Sequence, residues 1–245
     1  MPRASNYLLQ GYTYHLTQRC HDRQFLLRVA KERDIYREWL RAGVGRHQVP
    51  VYGFCITTNH VHVIVHADHV EAVAQLMHLA SGATAKQYNL RKNRTGSLWE
   101  HPYKCTVIED GQHLLNCLVY VNLNMVRAGQ VAHPREWKWC SHDELLGERQ
   151  RYRILNIERL QQSLGGIGER DFRRWYSDTI AERLAAPRMQ REAHWTEALA
   201  VGSRAFVDQV MGMHAQRRQF EVQRIPTADT ERWAVRERST PYSKI

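Results

Sequence analysis

Two histidines two residues apart, His60 and His62, stand in the run Thr-Asn-His-Val-His-Val-Ile-Val-His at 58–66. On an extended chain alternate side chains share a face, so His60, His62, Ile64 and His66 point one way and Val61, Val63 and Val65 the other. The valines suit a buried core. Two imidazoles on one strand face stand close enough to hold a single divalent ion, and imidazole suits zinc, manganese or iron. The same pair also suits a half-exposed strand face with no ligand. Farther along, His113 and Cys117 are four residues apart on a predicted helix and so share one face of it. Joined to His60 and His62 they would make a three- or four-ligand nitrogen and sulfur site of the softer kind that zinc prefers. Four protein ligands close such a site, whereas three leave a position for water or phosphate. A metal-dependent hydrolase would also need an acid or base there, for which Glu100 and Glu109 are candidates.

The elements that must position these residues follow from pattern. Residues 11–19, rich in Tyr and Thr after a glycine, predict a first strand, closed by Arg19 and Arg23. The spacing of Val29, Ile35, Tyr36, Trp39 and Leu40 predicts a helix from about 28, ended by Gly43 and Gly45. Strands at 51–56 and 60–67 flank the turn Thr57-Thr58-Asn59. A second helix runs from after Asp68 to Arg91, a strand covers 103–108, and a third helix spans 112 to about 126 with an apolar stripe of Leu114, Leu115, Leu118, Val121 and Met125. This order predicts an α+β fold, an antiparallel sheet with helices on one face.

Composition narrows the function classes. The chain has 245 residues, a formal net charge of +10 and five scattered cysteines, Cys20, Cys55, Cys105, Cys117 and Cys140. No apolar run approaches the roughly 18 residues of a membrane span, and no secretory leader is visible at the start. A soluble cytoplasmic protein with reduced thiols is expected, with no membrane partner. The cationic excess favours a polyanion, nucleic acid first. One basic stretch, Lys86, Arg91, Lys92 and Arg94, precedes Trp99 and Lys104, so phosphates could be held while a base stacks on the indole. A solvated helix end beside a core tryptophan is the equal alternative.

Three segments carry a family resemblance: Asn59-His60-Val61-His62; Gly96-Ser97-Leu98-Trp99-Glu100 with Tyr103-Lys104; and Tyr120-Val121-Asn122-Leu123-Asn124-Met125-Val126-Arg127-Ala128-Gly129. Over residues 7–147 the chain resembles the transposases among the His-hydrophobe-His (HUH) endonucleases, nearest to the branch associated with repetitive extragenic palindromes. The resemblance implies a sheet of the ferredoxin or RNA-recognition type and a magnesium or manganese ion held by the two histidines. It implies no nucleotide cofactor. It further implies that a tyrosine on the helix after the last strand attacks a phosphate of single-stranded DNA, giving a 5′-phosphotyrosine and a free 3′-hydroxyl. Partners implied are single-stranded or hairpin DNA and a second copy in a homodimer. The family's nucleophile is expected a few residues into the third helix, and that position holds His113. Four residues on, where the family has a third metal ligand, stands Cys117. Tyr120, about 10 Å further along the helix at 1.5 Å per residue, is the replacement nucleophile on that helix or a packing residue; Tyr103 and Tyr88 are lesser candidates. The readings that follow are an active nickase, a domesticated DNA-binding protein, or a fold with a closed structural zinc.

Residues 1–147 are thus assigned to the transposase-like domain and 148–245 to a basic, helical extension. Within the extension Asn156 is predicted to cap a helix, and Phe172, Trp175, Tyr176, Ile180 and Leu184 mark another that Pro187 ends. Residues 195–211 read as helix, glycine turn, helix with Ser203 as cap, either a packing hairpin or a groove-reading motif. From 216 on, the sequence is Arg-rich with little apolar periodicity, which predicts a wrapping or mobile tail.

Overall fold

A computed structural model describes residues 8–186, 190–214, 220–227 and 231–237. The expected first strand is β1 (Thr13–Arg19), followed by α1 (Ala30–His47), β2 (Val51–Ile56), β3 (His60–His66), α2 (Val70–Arg91), β4 (Lys104–Ile108), α3 (Gln112–Asn122) and the short α4 (Asn124–Arg127) and α5 (His142–Leu145). The third helix therefore breaks at Leu123. Helix α1 runs through Gly43 and Gly45, which were expected to stop it. At Gly43 an added Cβ would meet the Leu76 side chain of α2 at 2.6 Å, so the glycine lets two helices approach. The left-handed residue that ends α1 is Gln48.

The extension supplies the expected helices α6 (Ile157–Ser163) and α7 (Glu169–Ala185), and it also supplies strands. Asn156 accepts from the Arg159 amide at 3.0 Å, the predicted cap. Between the short α8 (His194–Glu197) and α9 (Arg204–His214) lies β5 (Ala200–Gly202), so the expected helix-turn-helix is a helix-strand-helix. Ser203 does cap α9, its hydroxyl accepting from the Phe206 amide at 3.3 Å. Residues expected to form an aperiodic tail build a hairpin, β6 (Phe220–Ile225) and β7 (Arg232–Glu237). Pro187, the expected stop of α7, and the rest of the tail lie outside the described residues.

The sheet has the order β2-β3-β1-β4-β5-β7-β6, antiparallel except where β5 runs parallel to β4. In register, His15 faces Ile64, Thr17 faces His62 and Arg19 faces His60. Alternation then puts Tyr14, Leu16 and Gln18 on the opposite face, where Ser81 of α2 donates to Gln18. The histidine face is covered by α3, whose Leu118 touches Gly53. The pattern of elements predicts helices on one face; the structure carries them on both, and most residues of β2, β3 and β1 are accordingly buried on both sides. Among the described residues no helix is long and apolar enough to cross a membrane.

Candidate nucleic-acid cleavage site

The histidine pair opens into a cleft of about 530 Å³ at the end of β1 and β3. His60 lies 4.7 Å from His62 between ring centroids, and His62 lies 6.2 Å from Tyr120. Hydrogen bonds fix which nitrogens stay free. The Trp195 carbonyl can only accept, so His15 Nδ1 donates to it at 2.7 Å. His15 Nε2 is then the acceptor for His62 Nδ1–H at 2.8 Å, which leaves His62 Nε2 with a lone pair. That lone pair receives the Asn124 amide at 2.9 Å. His60 Nδ1 donates to Asn59 Oδ1 at 2.7 Å, so its Nε2 also carries a lone pair.

Burial keeps these imidazoles neutral. It lowers His60 to about 3 with help from the cations Arg19, Arg127 and Arg191, and pushes His62 well below the usual histidine range, with His60 and His15 adding to the effect. His15 falls to about 4 for the same principal reason, although its bond to the Trp195 carbonyl pulls the other way. Burial raises Tyr120, while the Arg127 guanidinium, 4.0 Å from the centre of its ring, opposes the rise. The cleft wall is cationic, with Arg19, Arg23, Lys104, Arg127 and Arg191 against Glu100 and Glu197.

The structure divides the sequence candidates. Arg19, Arg23, Lys104, Glu100 and Tyr120 line the cleft with His60 and His62. His113 and Cys117 do not. Among the described residues no three His, Cys, Asp or Glu side chains are arranged to hold a metal, so the four-ligand set His60, His62, His113 and Cys117 does not assemble. The reason is helix geometry: Tyr120 occupies the turn beside His62, and Cys117 and His113, on the same face, lie about 4.5 Å and about 10 Å back along the axis at 1.5 Å per residue. His113 instead pairs with Glu109 at 3.4 Å, and the fully buried Cys117 has its thiol pushed up by burial. Glu109 is no acid or base for the cleft; it accepts from the Ser203 hydroxyl at 2.9 Å.

The other basic stretch is a corner of the fold. Arg91 pairs with buried Glu32, Arg94 donates to the Ser97 carbonyl at 3.0 Å, and Lys86 and Lys92 are exposed. Trp99 is 8 % exposed, donates to the Ser81 carbonyl at 3.0 Å and packs edge-on against Tyr36. It is a core residue and offers no face for a base. Tyr88 and Tyr103 are buried outside the cleft.

Five site residues escaped the sequence reading of chemistry: His15, Asn124, Arg127, Arg191 and Trp195. His15 carried a signal, since it alternates with Thr17 and Arg19 on β1. Asn124 carried another, standing four residues beyond Tyr120. Arg191 and Trp195 come from the extension and had none.

Residues 9–124 match the model of the family described as "Transposase IS200 like". Among solved structures, the chain is similar to a transposase described as a REP-associated tyrosine transposase bound to a REP hairpin, with 15% identity and a TM-score of 0.46 over 64% of this chain and 93% of that one. It is also similar to a protein of Deinococcus radiodurans R1 that carries the provisional name transposase, with 17% identity and a TM-score of 0.34 over 53% of this chain and 98% of that one. None of the curated proteins matches the chain.

Proposed function

We propose, on the match of residues 9–124 to the IS200-like transposase family, that the chain binds single-stranded or hairpin DNA and nicks and rejoins it with Tyr120 as nucleophile. The observation that carries this reading is the tyrosine ring 6.2 Å from His62 in a cationic cleft. The family spacing is kept if Tyr120, rather than His113, is the reference, because the residue four positions on is then Asn124.

The donor set fits a divalent ion. His60 Nε2 and His62 Nε2 both carry lone pairs, and turning the Asn124 amide over would offer its oxygen where its nitrogen now meets His62. Two imidazoles and an amide oxygen suit manganese or magnesium better than a closed thiolate site would. The chemistry such an ion supplies is polarisation of the scissile phosphate.

The protein's own groups account for the rest. Arg19, Arg23 and Lys104 hold the strand by its phosphates. Arg127 stabilises charge on the Tyr120 oxygen as its proton leaves to solvent. Oη forms a bond to phosphorus, the bond from phosphorus to O3′ breaks, and the departing oxygen takes a proton from water to become a 3′-hydroxyl. The reverse attack by a 3′-hydroxyl rejoins the strand and frees the tyrosine. One copy contains all the reacting groups, so a homodimer would serve to hold two DNA ends. A cytoplasmic location accords with a DNA substrate and with cysteines that form no disulfide among the described residues.

The test is incubation with a labelled hairpin bearing single-stranded flanks and Mn²⁺, followed by a denaturing gel. The wild-type chain is expected to form a covalent adduct, and Tyr120→Phe to lose at least about a thousand-fold of it while still binding the DNA. An adduct that persists in Tyr120→Phe would overturn the assignment of the nucleophile. Binding with no adduct from the wild type would make the chain a DNA-binding derivative of the family.

A further inference from the structure

A second cleft, about 730 Å³, adjoins the first and shares Tyr120, Arg127 and Arg191 with it but neither histidine. The two clefts therefore meet at the tyrosine. The first lies over β1 and β3. The second is walled by α3, by the end of α7 and by the β6–β7 hairpin, so two of its three walls belong to the extension beyond the matched family region. Five arginines face two glutamates across it. Arg232 is pinned by Glu192 at 3.3 Å and lies 4.7 Å from the Trp195 ring centre, which makes it part of the rigid floor. Arg183 and Arg236 are half-buried on the walls, and Ile225 and Pro226 at the end of the hairpin supply apolar surface.

A strand cut at a phosphate has two arms. If one arm lies across His60 and His62 with its phosphate at Tyr120, the chain of nucleotides must continue past the tyrosine. The second cleft begins there, carries the opposite charge to a phosphodiester backbone and has a volume of the size that encloses an organic ligand. A guanidinium-lined groove with a few apolar contacts is the general form of a site that tracks single-stranded nucleic acid without reading its bases.

We propose that this second cleft is a single-strand binding subsite in which the extension holds the arm of the DNA beyond the scissile phosphate. The proposal rests on the reading of the first cleft as a DNA site and adds to it the role of the extension. It makes the extension a clamp on the segment that stays attached to Tyr120 while the other arm is exchanged.

The experiment uses the full chain and 5′-fluorescein oligothymidylates of about 4 to 16 nucleotides, the span of single-strand site sizes. Wild-type affinity is expected to rise with length until both clefts are filled. In Arg183→Ala/Arg236→Ala the shortest oligomers should bind within about twofold of wild type, the rise should stop at a shorter length, and the longest should bind about ten-fold more weakly. The salt dependence for long oligomers should also flatten by about 1.4 in the log–log slope, two contacts at about 0.7 each. The pair Arg183→Lys/Arg236→Lys should restore most of both. An unchanged length dependence and slope in the alanine pair overturns the subsite alone. Equal weakening at every length also overturns it, since the two arginines would then act on the first cleft. A wild-type chain that binds neither oligothymidylate nor hairpin fails the reading of the first cleft as well. Displacement of hexaglutamate, but not oligothymidylate, by the same substitutions would assign the cleft to an acidic protein segment and overturn the proposal.

Discussion

Protonation decides what His60 and His62 can do, and their neighbours decide protonation. Because the Trp195 carbonyl accepts from His15, which in turn accepts from His62, the lone pair of His62 is aimed at the cleft before any ligand arrives. Such outer partners are worth about ten- to a hundred-fold in metal affinity. His15→Ala is therefore expected to weaken Mn²⁺ binding by that factor in calorimetric titration, with the circular dichroism spectrum unchanged and with part of the loss recovered in His15→Gln. Unaltered Mn²⁺ affinity would refute the relay. His113 has the opposite expectation. It sits away from the cleft with a buried Nδ1 that finds no partner among the described residues, so His113→Gln should leave adduct formation within about twofold of wild type. The His-x-His pair was legible because strand alternation is short-range. The resemblance puts the nucleophile position at His113, two helical turns before Tyr120, and a stripe repeating at helical spacing does not say which turn meets the sheet. In the fold it is Tyr120 that lies beside His62 in the cleft, and His113 that lies outside it.

At the join between β4 and the extension, one carboxylate adds side-chain bonds to the backbone pairing with β5. Glu109, at the end of β4, accepts from both the amide and the hydroxyl of Ser203 at the start of α9, and Gly202 leaves room for it: a Cβ there would come within 2.7 Å of Glu109 Oε2. Hydrogen bonds to a charged acceptor contribute about 1.5–3 kcal/mol, so Glu109→Ala should cost roughly that much in urea unfolding. It should also speed amide exchange in 200–211 while β1 and β3 keep their protection. If exchange in 200–211 stays as slow as in wild type, Glu109 does not anchor the extension. The same join explains why β5 was invisible beforehand. Ala200, Val201 and Gly202 are too few to show alternation, and they are a strand only because β4 and β7 lie on either side. The hairpin β6–β7 does alternate in part, with Phe220, Val222 and Ile225 against charged neighbours. Its arginines read as a solvated tail because the cleft that they line is formed by α3 and α7, far away in sequence. By contrast, β1 to β4 and α1 to α3 were readable because each buries a face long enough to print its period.

Over the whole molecule, a formal charge of +10 is combined with histidines buried in the neutral state, and the two together make the fold sensitive to acid. His142 shows the sign. Burial lowers it to about 4, with His133 and Arg135 adding repulsion, and its Nδ1 lies 3.0 Å from the Tyr176 hydroxyl where α5 packs on α7. An unfolded chain binds the proton near pH 6.5, so between about pH 6.5 and about 4 the unfolded state carries more protons than the folded one. Stability then rises with pH across that window and is lost as the pH falls through it. His194, lowered by burial to about 3, adds to the loss in the same direction. Each added proton also increases a charge that is already strongly positive. From pH 7 to pH 5 a single such histidine should account for roughly 2 kcal/mol. Whatever the stability of His142→Phe at pH 7, its loss on going to pH 5 should be smaller than that of wild type by about this amount in paired urea titrations. An equal loss in the two proteins would mean that His142 is protonated as easily in the fold as outside it, and the acid sensitivity would then have to come from the other buried histidines and the overall charge.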